Sequence, residues 1–164
     1  MLNTRGVWLV GGIVLGTIFG LSMAGLWPQV PVHAVATHGQ DSFAIATGPV
    51  DADVEAVFVL DNLTGELRGA VLNNQLKRFN SHYKYNVAAD FEKVKNPHYL
   101  MVTGMLRPVG VDVGSSVVYI AELTSGQLNA YGVPYSSAAA ANGVTQKYSF
   151  QLFDRTKFRT VVVR

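Results

Sequence analysis

Phe43-Ala44-Ile45-Ala46-Thr47-Gly48, a short connection, then Val57-Phe58-Val59-Leu60-Asp61-Asn62-Leu63-Thr64-Gly65-Glu66-Leu67: this stretch decides the fold, because the chain repeats its plan. The second copy reads Tyr99-Leu100-Met101-Val102-Thr103-Gly104, a longer connection, then Val118-Tyr119-Ile120-Ala121-Glu122-Leu123-Thr124-Ser125-Gly126-Gln127-Leu128. Each copy runs aromatic-x-apolar-apolar-Thr-Gly, then an apolar run, then an acid, Leu-Thr and Gly. Self-similarity of this kind marks a repeated supersecondary unit. Short apolar runs rich in β-branched and aromatic residues, bounded by Gly, Asp and Asn, read as strands. The acid can bond the backbone just ahead of it, and the glycine takes the positive φ that closes a hairpin. The extra Ser125 predicts a longer or bulged turn in the second copy.

The expected fold is therefore mainly β: two repeated three-stranded meanders at 43–72 and 99–133, a C-terminal strand pair within 146–163, and one short helix. That helix is placed at 87–94, where Val87, Phe91 and Val94 share a face. Asn86 is positioned to cap it and Asn96-Pro97 to end it.

The segment from Val57 to Leu67 resembles the blade motif of quinoprotein-like β-propellers, in which a strand enters an Asp-x-x-Thr-Gly-x-Leu turn and a second strand leaves it. The resemblance implies blade-like meanders. Two copies fall short of the ~4–8 blades of a closed propeller. Neither copy carries the Trp often found after the turn in such blades, so no quinone site is carried over and no cofactor is expected. The whole chain also resembles bacterial membrane-anchored proteins with a small extracytoplasmic β domain, a likeness that implies no activity.

The start of the chain carries the second signal. Residues 7–27 form 21 positions without a charge, preceded by Arg5. A bilayer span needs ~20 apolar residues, whereas a signal-peptide core is usually ~7–15. Trp27 suits a membrane–water boundary, and no Lys or Arg follows until Arg68. The organisation expected is a transmembrane signal-anchor at 1–27, a linker at 28–40 and an extracytoplasmic β domain at 41–164. The amino terminus then lies in the cytoplasm, with the domain outside the inner (cytoplasmic) membrane, in the periplasm. Cleavage following Ala34, giving a secreted domain, is the competing reading of Val32-His33-Ala34. Within the span Gly12, Gly16, Gly20 and Ala24 recur every fourth residue, a small-residue face on which two helices can pair into a homo-oligomer.

Charge is close to balance, with 13 Lys and Arg against 11 Asp and Glu, so no nucleic-acid partner is expected. The absence of Cys excludes disulfides, Cys-ligated zinc and thiol catalysis. Asp51, Asp53 and Glu55 alternate with apolar residues, but the turn Gly and later Glu of a calcium loop are missing, and the alternation reads as a strand with one wet face. His33 and His38 lie in the linker without an orienting partner, so no metal site is assigned. No catalytic residues are assigned either, because the nucleophile elbow, the His-Glu-x-x-His helix and the Gly-rich phosphate loop are all absent.

One cluster mixes aromatic, basic and amide groups: Lys77, Arg78, His82, Tyr83, Lys84 and Tyr85. Stacking and charge there suit an anion, a glycan or a single strand of nucleic acid, while the plain reading is a strand with its tyrosines on the core. Two functions follow. One is a non-enzymatic, membrane-tethered extracytoplasmic domain that binds a protein or envelope component. The other is a periplasmic enzyme of unknown class with its site near His82 to Tyr85. A structural variant has several chains completing a larger β assembly.

Overall fold

The computed structural model describes residues 4–26, 37–39, 42–107 and 112–159, and divides the chain into two compact units, Met1–His33 and Ala34–Arg164. The first unit holds helix α1, Thr4–Leu26. Its side chains are described at Gly6, Trp8 and positions 10–20. Trp8, Val10, Ile13, Val14, Leu15, Ile18 and Phe19 are all exposed, so the helix is apolar around its circumference. Among the described residues no helix is long and apolar enough to cross a membrane. Trp27, the stretch from Pro28 through the Ala34 cleavage position, and the side chains of Arg5, Ala24 and His38 lie outside the described residues.

The second unit consists of two sheets. The first has the order β1-β2-β3-β4-β5-β9, from Thr37–Gly39, Phe43–Asp51, Val54–Asp61, Glu66–Asn73, Arg78–Asn86 and Gln146–Tyr148. The second has the order β10-β8-β7-β6, from Gln151–Lys157, Gln127–Pro134, Val113–Glu122 and Tyr99–Met105. Pairing is antiparallel everywhere except between β5 and β9, which are parallel.

The quoted stretches occupy β2-β3-β4 and β6-β7-β8. Phe43 pairs with Asp61 and Tyr99 with Glu122, while Thr47 pairs with Val57 and Thr103 with Val118. The following turns also correspond, with Asp61 opposite Glu66 and Glu122 opposite Gln127. The second turn is therefore no longer than the first, contrary to expectation. Glu122 stands at the position of Asp61, and three residues lie between acid and glycine in both turns. Gly65 and Gly126 both take positive φ, 68° and 71°, a region in which a Cβ is strained. Each donates its N–H to the carbonyl of the acid, at 2.8 and 3.0 Å. Asp61 Oδ1 accepts from the N–H of Leu63 and Thr64, at 2.9 and 3.3 Å. Glu122 accepts from Thr124 N–H at 2.9 Å, Ser125 N–H at 2.6 Å and also His98 N–H at 3.1 Å. Its longer side chain ties the turn to the entry of β6.

Other expectations are corrected. Thr37–Gly39, inside the expected linker, forms a strand on β2. The helix near 87–94 is only a 3-10 turn, Val87–Asp90, although Asn86 does cap it by accepting from Ala88 N–H at 3.0 Å. The run 51–56 is interrupted by a tight hairpin turn at Ala52 and Asp53, between β2 and β3. The C-terminal strands do not pair with each other: β9 joins the first sheet and β10 the second. The expected last strand at 157–163 lies mostly outside the described residues. A second helix, α2, spans Ser137–Ala141. β8 is interior; its ladder with β7 shifts register between Gly132 and Pro134, and the Phe153 ring covers Gly132.

The core lies between the sheets, where Phe58, Leu60, Leu67, Val71, Val118, Ile120, Tyr131 and Val133 are buried. Phe150, on the crossing from β9 to β10, meets Phe58 edge-on with ring centroids 5.9 Å apart and Tyr83 at 5.4 Å. At the other side β2 packs on β6 and β7. Thr103 Oγ1 donates to the Thr47 carbonyl and Ser116 Oγ to the Pro49 carbonyl, both at 2.6 Å. A Cβ on Gly48 would lie 2.5 Å from Ser116 Oγ, so this approach requires glycine.

Glu122 supplies a test. Burial alone raises its carboxyl, but the Ser125 hydroxyl and the N–H groups of Ser125, Thr124 and His98 outweigh burial and hold it at about 2 against an ordinary 4.5. A depressed folded pKa stabilises above the unfolded value, and that contribution is lost as pH falls from 4.5 towards about 2. Glu122→Gln is expected to cost about 1–3 kcal/mol at neutral pH, since donors built for a carboxylate lose half of it. It should also flatten the acid loss of stability. Urea unfolding of both proteins across this pH range measures the effect, and parallel pH profiles would count against it.

Candidate functional site

The six residues singled out in the sequence do not assemble into one site. Lys77 closes the turn between β4 and β5 with φ 52°, and its N–H bonds the Asn73 carbonyl at 2.9 Å. Arg78 reaches away to the Gly143 carbonyl, at 3.4 Å. Tyr83 is buried, stacked on Tyr148 with centroids 5.3 Å apart. Burial drives its hydroxyl pKa upward, with the Tyr148 and Tyr135 hydroxyls adding to the shift. Tyr85 is half-buried against Tyr131, at 5.8 Å. Alternation along β5 thus sends both tyrosines inward and leaves His82 and Lys84 outside. A register shift between Val71 and Leu72 opposite β5 leaves both Asn80 and Ser81 buried, breaking the strict alternation expected there.

His82 and Lys84 instead belong to a cleft on the outer face of the first sheet. The register aligns Val59, Arg68 and Lys84 in one cross-strand row and Val57, Ala70, His82 and Lys147 in the next. These rows enclose a cleft of about 470 Å³ with Val57, Val59 and Ala70 as an apolar floor and Arg68, His82 and Lys84 on its wall. Glu66 bridges the two cations: Arg68 Nε bonds Glu66 Oε1 and Lys84 Nζ lies 2.9 Å from Glu66 Oε2. The Lys84 ammonium, then the Arg68 guanidinium, hold the Glu66 carboxyl below its usual range. Two cations share one carboxylate, and Lys147 stands beside His82, so the wall keeps a positive excess. Phe43 and Asp61 extend the same face into a second recess of about 280 Å³ beyond Val59.

This arrangement suits an anion with an apolar body: an Arg fork and a Lys ammonium for the charge, branched aliphatics for the rest. It is poorly suited to acid–base chemistry. Among the described residues no carboxylate hydrogen-bonds or ion-pairs with the imidazole of His82 or His98, Glu122 meeting His98 only at its main-chain N–H, so neither ring has an orienting carboxylate. Nor does any group of three or more His, Asp or Glu among them come together as metal ligands.

Sequence reasoning missed Arg68, Val57, Val59 and Ala70 as members of this cleft. The signal was present, since Arg68 and Ala70 alternate with inward residues, but cross-strand neighbours become visible only with the register.

A second polar assembly was also missed. On the inner side of β8, Gln127 Nε2 donates to the Asp90 carbonyl at 3.0 Å and to Asn129 Oδ1 at 2.8 Å. Asn129 Nδ2 donates to Tyr131 Oη, which donates to Asp90 Oδ2, each at 3.1 Å. These buried groups satisfy the 3-10 turn and one another, a structural role. On α1, a Cβ at Gly12, Gly16 or Gly20 would meet nothing within 4 Å.

Glu66→Gln is expected to leave stability nearly unchanged, because solvent-screened ion pairs contribute little. It should strengthen binding of a naphthalene sulfonate to the cleft by freeing both cations. Arg68→Gln combined with Lys84→Gln should weaken it. Chemical-shift changes at Val59, Ala70 and His82 during titration report both outcomes.

No family model, curated protein or solved structure matches the chain.

Proposed function

We propose that the chain is a membrane-tethered β domain that binds a protein or envelope component outside the cytoplasmic membrane, without itself catalysing a reaction. The observation that carries the tether is α1, whose described large apolar side chains are all exposed. A helix of that kind needs a hydrocarbon or protein surround. Its one described hydroxyl, Thr17 Oγ1, bonds back to the Ile13 carbonyl at 2.7 Å, as a polar side chain in lipid must. In the sequence the uncharged run is 21 residues, the length a bilayer core requires. Arg5 ahead of it favours a cytoplasmic amino terminus and a periplasmic domain. Cleavage after Ala34 would release the same domain as a secreted protein.

Binding is assigned to the cleft formed by Val57, Val59, Ala70, Arg68, His82 and Lys84, where cations and half-buried aliphatics of the first sheet converge. The common register of β2-β3-β4 and β6-β7-β8 supports the blade-like repeat. The open groove along Gly12, Gly16 and Gly20 supports pairing of two chains through their helices.

Protease added to intact spheroplasts is expected to degrade the β domain, and full protection would exclude the periplasmic assignment. A photo-crosslinking residue at His82 should trap a partner that the same residue at Val144, also exposed, does not. Gly16→Ile keeps the helix apolar, and is expected to abolish the dimer signal of a membrane-helix reporter. An unchanged signal would make the glycines incidental.

A further inference from the structure

The direction of the strands gathers several turns of the first sheet at the end where the chain enters it. β1 to β5 pair antiparallel in succession, and β9 runs parallel to β5. Antiparallel neighbours reverse direction. The start of β1 at Thr37, the β2–β3 hairpin, the β4–β5 turn and the start of β9 at Gln146 therefore share one end. The β3–β4 turn, with Leu63, lies at the other.

The Thr37 end carries an apolar corner. Leu72 and Phe79 form a cross-strand pair beside the β4–β5 turn, and both are exposed. Leu76, in the turn itself, is exposed too, and a Cβ on Gly143 would lie 3.2 Å from its Cδ1. Val144, next in the chain, is also exposed. The two segments are tied together: Asn73 Nδ2 donates to the Ala140 carbonyl at 3.0 Å, and the Arg78 guanidinium to the Gly143 carbonyl at 3.4 Å.

The charge of this corner has one sign. Lys77, Arg78 and Lys147 belong to it, and no Asp or Glu lies between Glu66 and Asp90 or between Glu122 and Asp154. The acids near that end, Asp51, Asp53, Glu55 and Asp112, stand on the β2–β3 hairpin and just before β7. Exposed apolar side chains ringed by cations match an anionic lipid surface, where the former enter the headgroup boundary and the latter meet its negative potential.

The chain length between the two units says what the corner meets. α1 ends at Leu26 and β1 begins at Thr37. The residues between them, 27–36, reach at most about 36 Å when fully extended. With α1 as a membrane anchor, the reading on which this inference rests, that connection brings the Thr37 end to the bilayer first.

We propose that this corner docks on the anionic headgroups of the membrane that holds α1. Leu76, Phe79 and Val144 enter the headgroup layer, and Lys77, Arg78 and Lys147 meet lipid phosphates. A tether alone leaves the domain free to turn, whereas docking fixes which surfaces it presents outward.

The test uses the full chain in lipid nanodiscs, with a paramagnetic label on a fraction of the headgroups. Methyl signals of Leu72, Leu76 and Val144 are expected to broaden more than that of Leu63, which is more exposed than any of them but lies at the opposite end. The effect should be strong with phosphatidylglycerol and weak with phosphatidylcholine alone, since each cation at an anionic surface gives about a fivefold preference for it. Lys77→Gln with Lys147→Gln should remove most of the broadening, and Lys77→Arg with Lys147→Arg should keep it. Equal broadening at Leu63 and Leu76, or no difference between the two lipids, overturns the proposal while leaving the anchor intact. Failure of the chain to enter the discs removes the anchor, and the docking with it. Broadening confined to discs that hold two chains would overturn lipid docking and assign the corner to a second copy.

Discussion

The packing of β2 across β6 and β7 is the constraint on which the domain depends. Two sheets can bury a common core only if their edges approach without stranding main-chain carbonyls. At Thr47 and Pro49 the carbonyls facing away from β3 have no strand beside them among the described residues, and the hydroxyls of Thr103 and Ser116 take them at 2.6 Å. Gly48 between them leaves the space that Ser116 occupies. The Thr-Gly pairs of the repeat thus have unlike tasks. In the first copy they present a carbonyl and a gap; in the second, Thr103 fills that requirement.

Much of the β architecture was legible because strand and turn signals are local. Period-two alternation and acid-to-glycine turns located β2 to β4 and β6 to β8, and Asn86 was recognisable as a cap. The equality of the two turns was not, since Leu-Thr stands one residue nearer the acid in the second copy and makes Ser125 read as an insertion; the pairing gives both turns the same length. Sheet membership of the last strands was also hidden. Residues 146–153 alternate as a strand should, but β10 runs on through the turn expected at 154–156, and which edge each strand joins depends on β5 and β8, distant in the sequence.

The candidate site was legible only in part. His82 and Lys84 were named on composition, and they face the cleft. Tyr83 and Tyr85 were named with them, yet strand geometry forbids neighbours in sequence from sharing a face. Arg68 and the aliphatic floor came from two other strands. A site built across a sheet is read along rows perpendicular to the chain, and one sequence does not display those rows. The α1 signal is the opposite case, because a helix apolar on all sides is written in consecutive residues.

The crossing from β9 to β10 has a consequence for how the domain is made. Tyr148 and Phe150 pack against Tyr83 and Phe58 at the far side of the core, so the earliest hairpins wait for the last part of the chain to be sealed. Local hairpins form quickly, whereas contacts of large sequence separation are slow. A chain emerging amino terminus first therefore carries β5 and β8 as bare edges until residues 146–157 arrive. During that interval chaperones and proteases have their best opportunity, and truncation within the last two strands would leave the protein permanently in that state.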